Sequence, residues 1–412
     1  MPRQREPREG RRRILLAAFH FPPGGWGGVQ RASKLVKYLP DHGWEAVVLA
    51  GDPADLPVLD ADLLADVPPS TVVLRRRLPR VPGIGDPGLR WIPWLLRDGT
   101  RGVRRFGAEA VLLTGSPFLS FLAGPLLRHR TGVPYVLDFR DPWCVEPWDP
   151  RGAGWKAAAK EGLSRFIEAA AVRRAAACTF ASPGVRCRYL AVYPELREEW
   201  AEAIPNGYDE EDFPDAGKLP PPPPGRPRLL LVHTGSWAGF RTPELLLQGL
   251  ARFRSRHPDL APLVEARLVG LAHGEWQAMA EGMGLGGAVR FDPYQPHGRC
   301  LEILREADLL WLDNGPSPCY VSGKMFEYMA SGRPIVAAAH PDGEAGRWLR
   351  ECGTATLVPR DPEGIAEALA EVARRILQGW RPAPVAEAVR RFGRRRLAGR
   401  FAALLERAAG ES

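Results

Sequence analysis

A chain of 412 residues is long for a single core, so its length predicts two domains of roughly 200 residues each. Hydrophobic residues make up 45% of the sequence, and no apolar run approaches the roughly 18 residues that would span a bilayer. The net charge of +8 favours an acidic partner, either nucleic acid or an anionic membrane surface. Because basic motifs interleaved with aromatic residues are missing, nucleic acid is not expected, whereas peripheral contact with the inner face of the cell membrane stays open.

The cysteines and the first residues bear on where the protein works. The six cysteines form no Cys-x-x-Cys pair and no His/Cys cluster at metal-ligand spacing, so we expect reduced thiols and no metal site. No signal peptide is recognisable, because residues 1–13 are charged and the apolar run at 14–19 is too short for one. We therefore expect a cytoplasmic protein.

The N-terminal half alternates between strand and helix patterns. A strand at 13–19 is followed by a glycine-rich loop, apolar residues at helical spacing over 29–38, and a second strand at 45–50. This βαβ unit predicts a parallel sheet. Further strands are predicted at 71–74, 110–113 and 135–139, and a long helix at 154–176.

A proline-rich stretch divides the sequence. Residues 213–228 include five consecutive prolines, and this stiff, polar segment is interpreted as an interdomain linker. It separates a domain at 1–212 from a second α/β domain at 229–384, and a basic helix is predicted over 385–409 of the C-terminal segment 385–412. The second domain has predicted strands at 228–233, 264–269, 288–291, 307–313, 334–339 and 354–358 and helices at 242–254, at 299–306, after 322 and from 362.

The most informative segment is 320–336, Tyr-Val-Ser-Gly-Lys-Met-Phe-Glu-Tyr-Met-Ala-Ser-Gly-Arg-Pro-Ile-Val. It predicts a short helix between two strands, with Ser322 as N-cap and Gly323 giving a ligand access to the backbone. The N-terminus of such a helix binds anions, and Glu327, about one turn later, could accept hydrogen bonds from a sugar diol. Phosphate and diol together indicate a nucleotide. A serine cap followed by a glutamate is also ordinary chemistry for a helix start.

This segment resembles the nucleotide-sugar motif of the large retaining glycosyltransferase family called group 1, or family 4, and the resemblance extends over nearly the whole chain. It implies the GT-B fold, in which two Rossmann-like, doubly wound α/β domains face each other across a cleft. It also implies a nucleoside-diphosphate sugar as donor and a saccharide or lipid-linked acceptor, with no metal or other cofactor. The C-terminal helix would then pack back on the N-terminal domain.

Ligands of doubly wound sheets bind beyond the carboxyl ends of the strands, where four loops of this sequence are predicted. The first, residues 24–28, contains Gly27 and Gly28 and resembles the family's Pro-x-x-Gly-Gly loop, which lies near the donor phosphates and the acceptor. The alternative is a dinucleotide fingerprint with Asp52 as the ribose acceptor, although the segment Gly-Trp-Gly-Gly-Val-Gln at 25–30 lacks its third glycine.

The second loop is Asp-Phe-Arg-Asp-Pro-Trp at 138–143. Two carboxylates around an arginine at the end of a strand are costly in a core and therefore indicate a site. The segment resembles a motif of a bacterial polysaccharide branch of the family. That resemblance implies that Arg140 replaces a histidine near the sugar and that Asp141 binds a sugar hydroxyl. A structural Arg–Asp pair is the alternative.

The third loop, 204–209, resembles a Pro-Asn-Gly turn of the family, and we expect it to be structural. The fourth, 233–241, resembles the glycine-containing loop whose basic residues hold the pyrophosphate. We expect Gly235 near the donor, and Arg241 and Lys324 to stabilise the departing diphosphate, because guanidinium and ammonium groups suit phosphate. A solvated Arg241 is the alternative. His297 lies where the family often places residues near the nucleobase.

One position departs from the family pattern. Many members carry two glutamates eight positions apart; Glu327 matches the second, but position 319 is Cys. The retaining outcome and the identity of the sugar therefore stay open. We expect an NDP-sugar-dependent glycosyltransferase of the hexosyltransferase type, acting in surface polysaccharide or glycoconjugate synthesis. A GT-B sugar-nucleotide epimerase and a non-catalytic sugar-nucleotide-binding assembly protein are the alternatives.

Overall fold

The computed structural model describes residues 10–25, 28–145, 154–218, 227–235, 237, 241–270 and 274–410. Over these residues the chain forms two parallel β-sheets with apolar core on both faces of each. The predicted architecture of two Rossmann-like α/β domains is confirmed. Gly27, predicted to lie in the donor site, falls outside the described residues.

The first sheet contains seven parallel strands among the described residues. They are β1 (Arg12–Ala17), β2 (Trp44–Gly51), β3 (Val72–Arg76), β4 (Ala110–Thr114), β5 (Tyr135–Phe139), β6 (Ala177–Phe180) and β7 (Ala201–Ala203), in the spatial order β3-β2-β1-β4-β5-β6-β7. The helices are α1 (Val29–Tyr38), α2 (Pro87–Phe106), α3 (Ala123–Thr131), α4 (Trp155–Val172) and α5 (Pro183–Val192). In β1, Leu15 packs in the core on one face while Ile14 and Leu16 pack on the other. Burial on both faces explains the continuous apolar runs in the sequence.

The second sheet has six parallel strands in the described part of the chain. They are β8 (Leu229–Thr234), β9 (Val264–Val269), β10 (Val289–Asp292), β11 (Leu309–Gly315), β12 (Ile335–Ala339) and β13 (Ala355–Val358), in the order β10-β9-β8-β11-β12-β13. The helices are α6 (Glu244–Arg256), α7 (Gly274–Gly282), α8 (His297–Glu306), α9 (Gly323–Ser331), α10 (Glu344–Glu351) and α11 (Pro362–Leu377). The strand order reverses beside β8 and β11, which is where doubly wound sheets bind their ligands.

The C-terminal segment differs from the single helix predicted over 385–409. It contains α12 (Ala386–Arg390) and α13 (Arg394–Gly410), separated by a break at Gly393. At the break the backbone pairs with Tyr208: the Tyr208 N–H donates to the Phe392 carbonyl (3.1 Å) and the Arg394 N–H donates to the Tyr208 carbonyl (2.9 Å). Because these groups bond across the molecule, they do not continue the helix. Beyond the break, α13 packs its apolar face in the same core cluster as Ile14 and Leu16 of the N-terminal sheet.

The segment predicted as linker also differs at its start. Phe213 and Ala216 are buried in a core cluster of the second domain, where Phe213 packs edge-on against Tyr208 at 6.1 Å between ring centroids. Both apolar side chains pack in this core, and the polar, proline-rich composition of the segment does not predict their burial. The five prolines at 220–224 lie outside the described residues.

Leu404→Ala tests the attachment of α13 to the N-terminal core. Leu404 is fully buried there, so its truncation should lower the free energy of unfolding by about 2–5 kcal/mol. Leu377→Ala is the matched control, since Leu377 at the end of α11 is 49% exposed and its truncation should cost no more than about 0.5 kcal/mol. Urea denaturation followed by tryptophan fluorescence measures both. Equally small losses would show that α13 does not pack in this core.

Candidate active site

A cleft of about 290 Å³ lies between the carboxyl ends of the two sheets, and residues of both domains line it. The structure brings ten of the eleven predicted site residues together in this cleft. They are Gly28, Arg140, Asp141, Gly235, Arg241, His297, Ser322, Gly323, Lys324 and Glu327. The eleventh, Gly27, is outside the described residues. Loops that are far apart in sequence therefore meet in one place.

The N-terminus of α9 points into this cleft. Ser322 occupies the predicted N-cap position, but its side chain makes no hydrogen bond to the first turn. Instead, its backbone N–H donates to Asn314 Oδ1 (2.9 Å), and Asn314 Nδ2 donates to the Tyr320 carbonyl (2.8 Å). A Cβ added at Gly323 would meet no atom closer than 3.7 Å, so the absence of a side chain leaves room in the cleft rather than solving a packing problem. A helix N-terminus held in this way suits an anion.

Lys324 and Glu327 form an ion pair one turn apart on α9, with 2.9 Å between Nζ and Oε2. Burial would raise the pKa of Glu327, but the charge of Lys324 outweighs burial and holds the pKa below its ordinary value. Burial would lower the pKa of Lys324, but Glu327 outweighs it and raises that pKa. Both groups are therefore charged at neutral pH, so this pair presents a cation for a phosphate and a carboxylate for hydroxyl groups to the cleft.

The loop after β8 faces the start of α9 across the cleft. Gly235 has a φ of +144°, a conformation that side chains rarely adopt, and its N–H donates to the Val269 carbonyl (2.9 Å). The Arg241 guanidinium lies 5.6 Å from the centroid of the Tyr320 ring, which precedes the α9 cap. Arg241 and Lys324 thus approach the same space from two sides, as a diphosphate requires.

The first domain contributes Arg140 and Asp141, whose nearest Nε and Oδ2 atoms are 3.5 Å apart. The Arg140 guanidinium lies directly over Gly28, so a Cβ at that position would overlap Nη1. This contact, rather than backbone strain, accounts for the glycine, because the φ of Gly28 is an ordinary −81°. Because Gly28 has no side chain, the Arg140 guanidinium can occupy this position at the wall of the cleft.

The interpretation of both carboxylates in the 138–143 loop as site residues is wrong for Asp138. Asp138 is 2% exposed and accepts hydrogen bonds from Arg31 Nη2 (2.7 Å), Thr179 Oγ1 (2.7 Å) and Thr114 Oγ1 (2.8 Å). Burial would raise its pKa, but Arg31 outweighs burial and lowers it. Asp138 is therefore a structural ion-pair partner, and only its neighbours Arg140 and Asp141 reach the cleft.

His297 is part of a contact between the domains. Its Nε2 donates to Asp212 Oδ2 (2.9 Å), and its Nδ1 accepts from Gln30 Nε2 (3.1 Å). Its backbone N–H donates to Asp60 Oδ2 (2.9 Å), which also accepts from the Tyr294 hydroxyl (2.9 Å). The histidine lines the cleft, but these bonds give it a bridging role as well.

Sequence reasoning missed Arg394, the first residue of α13. Its Nη1 and Nη2 donate to the Gln30 carbonyl (2.6 Å) and to Gln30 Oε1 (3.0 Å), and its side chain lines the cleft. Burial lowers the pKa of Arg394, although Glu327 acts in the opposite direction. Only the preceding Gly393 hinted at a helix start here, and Arg394 stands in a run of three arginines among many.

Cys319, at the position of the family's first glutamate, does not line the cleft; it contacts the first domain instead. Its carbonyl accepts from Ser182 Oγ (2.6 Å), and its Sγ accepts from Arg188 Nε (3.2 Å). In the described part of the chain, no group of three or more His, Cys, Asp or Glu residues is arranged to hold a metal ion. Every helix within the same residues is too short or too polar to cross a membrane.

Comparison with known proteins agrees with this architecture. Residues 26–212 match the family model described as Glycosyltransferase Family 4. Among curated proteins, none matches the sequence significantly. Among solved structures, HepE from Anabaena in complex with UDP has a TM-score of 0.66 at 16% identity, with 96% of this chain and 99% of that chain covered. The sucrose-phosphate synthase of Thermosynechococcus elongatus (TM-score 0.63, 18% identity, 97% of both chains) is also similar. So is WaaG, a glycosyltransferase involved in lipopolysaccharide biosynthesis (TM-score 0.63, 14% identity, 97% and 99%).

The fold is thus GT-B, with the two domains and the intervening cleft that the sequence predicts. Within it, the first domain carries the match to Glycosyltransferase Family 4. This match over the first domain agrees with the predicted glycosyltransferase activity.

Gly28→Ala should displace the Arg140 guanidinium while leaving the fold intact, because the backbone at Gly28 is unstrained and the overlapping atoms end a flexible side chain. We expect the rate of the sugar transfer that the sequence predicts to fall by about 10- to 100-fold, as misplacement of a positioning group does. The melting temperature should change little.

The double variant is the control for this prediction. If Gly28→Ala acts through Arg140, adding it to Arg140→Ala should reduce the rate little further, since the two changes then remove one interaction. Fully additive losses would mean that Gly28 serves a separate purpose, such as direct contact with a ligand.

Proposed function

We propose that this protein transfers a sugar from a nucleoside-diphosphate sugar to a hydroxyl acceptor, in the cytoplasm. The observation that carries the proposal is the start of α9, where a helix N-terminus, a lysine and an ionised glutamate share the wall of the interdomain cleft. The helix N-terminus and the lysine suit a diphosphate, and the carboxylate suits a ribose diol.

The second domain would bind the donor. The N-terminus of α9, with Lys324 and Arg241, would hold the diphosphate, because all three provide positive potential in the same part of the cleft. Glu327 would accept hydrogen bonds from the ribose hydroxyls, and His297 would lie near the base. HepE, which shares the fold, has been solved with UDP and with UDP-glucose. This supports a uridine nucleotide as the first candidate.

Catalysis would rest on positioning and on stabilisation of the leaving group. The bond between the anomeric carbon and the diphosphate oxygen breaks, and the acceptor oxygen forms the new bond to that carbon. Arg241 and Lys324 would stabilise the charge on the departing diphosphate, which takes the acceptor's proton in the family that the sequence resembles. Arg140 and Asp141 line the cleft from the first domain and would orient the transferred sugar. Retention of anomeric configuration is the expectation from that resemblance.

The acceptor would be a saccharide or a lipid-linked saccharide bound by the first domain. The 138–143 motif resembles a bacterial polysaccharide branch of the family, and the similar structure of WaaG belongs to lipopolysaccharide synthesis. The net charge of +8 would favour peripheral contact with an anionic membrane that holds such an acceptor.

Nucleotide binding tests the donor site. One of UDP, GDP, ADP and dTDP should raise the melting temperature by several degrees, because saturation at ~100 times Kd stabilises the native state by about 2.7 kcal/mol. Glu327→Ala should weaken that nucleotide about 10- to 100-fold, the usual cost of losing hydrogen bonds to a charged group. Glu371→Ala, which removes an exposed carboxylate on α11, is the matched control. If no nucleotide shifts the wild type, or if both variants behave alike, the donor site is wrongly assigned.

A sugar-nucleotide epimerase is the second candidate, because a UDP-N-acetylglucosamine 2-epimerase is among the similar structures (TM-score 0.52, 14% identity). The two activities differ in their need for an acceptor. We expect release of nucleoside diphosphate to depend on added saccharide acceptor and to be slow without it. Rapid turnover of the sugar nucleotide without acceptor, with a new sugar isomer as product, would favour the epimerase. Binding without any turnover would favour an assembly protein.

A further inference from the structure

The strongest unexplained group in the cleft is the imidazole of His233. It lies near the carboxyl end of β8, on the central part of the second sheet, and the whole residue is only 8% exposed. Its ring stacks on the indole of Trp237, with 4.1 Å between centroids and 27° between planes. His233 also lines the cleft. The ring is therefore fixed in place beside the proposed donor site.

One nitrogen of this ring has a defined role. Nδ1 lies 3.1 Å from the Trp311 carbonyl of β11, and since a carbonyl oxygen only accepts, Nδ1 must carry the hydrogen. Burial lowers the pKa of His233 to about 3; Arg241 and Lys324 add to this effect, and the Trp311 carbonyl opposes it. The ring is neutral at physiological pH, so Nε2 carries a lone pair and can only accept.

The other nitrogen, Nε2, has no hydrogen-bond partner in the described part of the chain. Nε2 is buried and accepts no hydrogen bond from any group among the described residues. A Cβ built on Gly235 would lie 3.6 Å from Nε2 and 3.6 Å from Lys324 Cγ, so Nε2 faces the space between the β8 loop and the start of α9. A buried acceptor left unpaired is costly, and such atoms usually meet a ligand or a water molecule.

The charge of the neighbours narrows the choice of ligand group. Arg241 and Lys324 border this space and suit the diphosphate, but ionised phosphate oxygens carry no hydrogen to donate to Nε2. A sugar hydroxyl carries one. The ribose hydroxyls are assigned to Glu327 in the proposed function, which leaves the hydroxyls of the transferred sugar on the other side of the diphosphate.

We propose that His233 binds the transferred sugar by accepting a hydrogen bond from one of its hydroxyl groups at Nε2, and so helps to select the sugar. This inference rests on the proposed function. The resemblance to the family gives His233 no role in sugar binding. Such a role is of interest here because Cys319 stands at the position of the family's first glutamate.

Two substitutions distinguish the roles of the two ring nitrogens of His233. His233→Asn retains an amide donor near the position of Nδ1, for the Trp311 carbonyl, and removes the acceptor at the position of Nε2. His233→Gln places an amide oxygen near Nε2 and so restores an acceptor there. The melting temperatures of the unliganded variants report whether each one is folded before any ligand is added.

Isothermal titration with UDP and with UDP-glucose, or with the GDP, ADP or dTDP pair if the nucleotide screen selects another base, tests the inference. We expect His233→Asn to leave the affinity for the nucleoside diphosphate within about twofold and to weaken the sugar nucleotide about tenfold. His233→Gln should recover part of the loss. The ratio of the two affinities in each protein is the decisive quantity, because a general disturbance of the cleft would not change it.

Other outcomes overturn the inference in different ways. An equal loss for both ligands in His233→Asn would place Nε2 against the diphosphate or the ribose. No loss for either would mean that Nε2 meets only water. If wild-type protein binds none of the nucleotides, the proposed donor site fails first and the inference fails with it.

Discussion

The structure depends on charges that are buried where the two domains meet. Lys34 of α1 is 2% exposed and lies among three carboxylates: it contacts Asp209 and is 2.6 Å from Asp66 and 3.5 Å from Asp212. Burial would raise the pKa of Asp209, but Lys34 outweighs burial and lowers it. Removing one member would leave an uncompensated buried charge, which is strongly destabilising. Because Asp212 also accepts from His297, this network ties the first domain to the wall of the cleft.

This constraint explains how a site built from distant loops can be kept in shape. The first domain brings Arg140 to the cleft, the second brings the start of α9, and the returning helix α13 adds Arg394 between them. Arg394 bonds to Gln30, and Gln30 in turn bonds to His297, so α13, α1 and α8 are linked through adjacent side chains. A donor bound by the second domain would then face groups of the first at a distance set by these contacts, and binding energy need not be used to assemble them.

The sequence predicted those features whose cause is local. The strand–loop–helix unit around Ser322 is encoded by a cap residue, two glycines and apolar runs that are adjacent in the chain, and the helix begins where the sequence predicts, directly after Ser322. Features that depend on distant partners were not predicted. Gly393 breaks the C-terminal helix because its neighbours pair with Tyr208, and Asp138 is structural because Arg31, 107 residues away, meets it. His233 shows the same limit. The Trp311 carbonyl on a neighbouring strand bonds to Nδ1 and so determines that Nε2 is the nitrogen left to accept a hydrogen bond.

The most direct test of the account is a crystal structure of the protein grown with the nucleoside diphosphate that it binds best. We predict that the diphosphate lies at the N-terminus of α9 between Lys324 and Arg241, with the ribose hydroxyls on Glu327. The carboxylate should then share its bond to Lys324 with the ribose. A nucleotide bound instead at the glycine loop of the first domain, with the α9 cap unoccupied, would contradict the assignment of donor and acceptor domains.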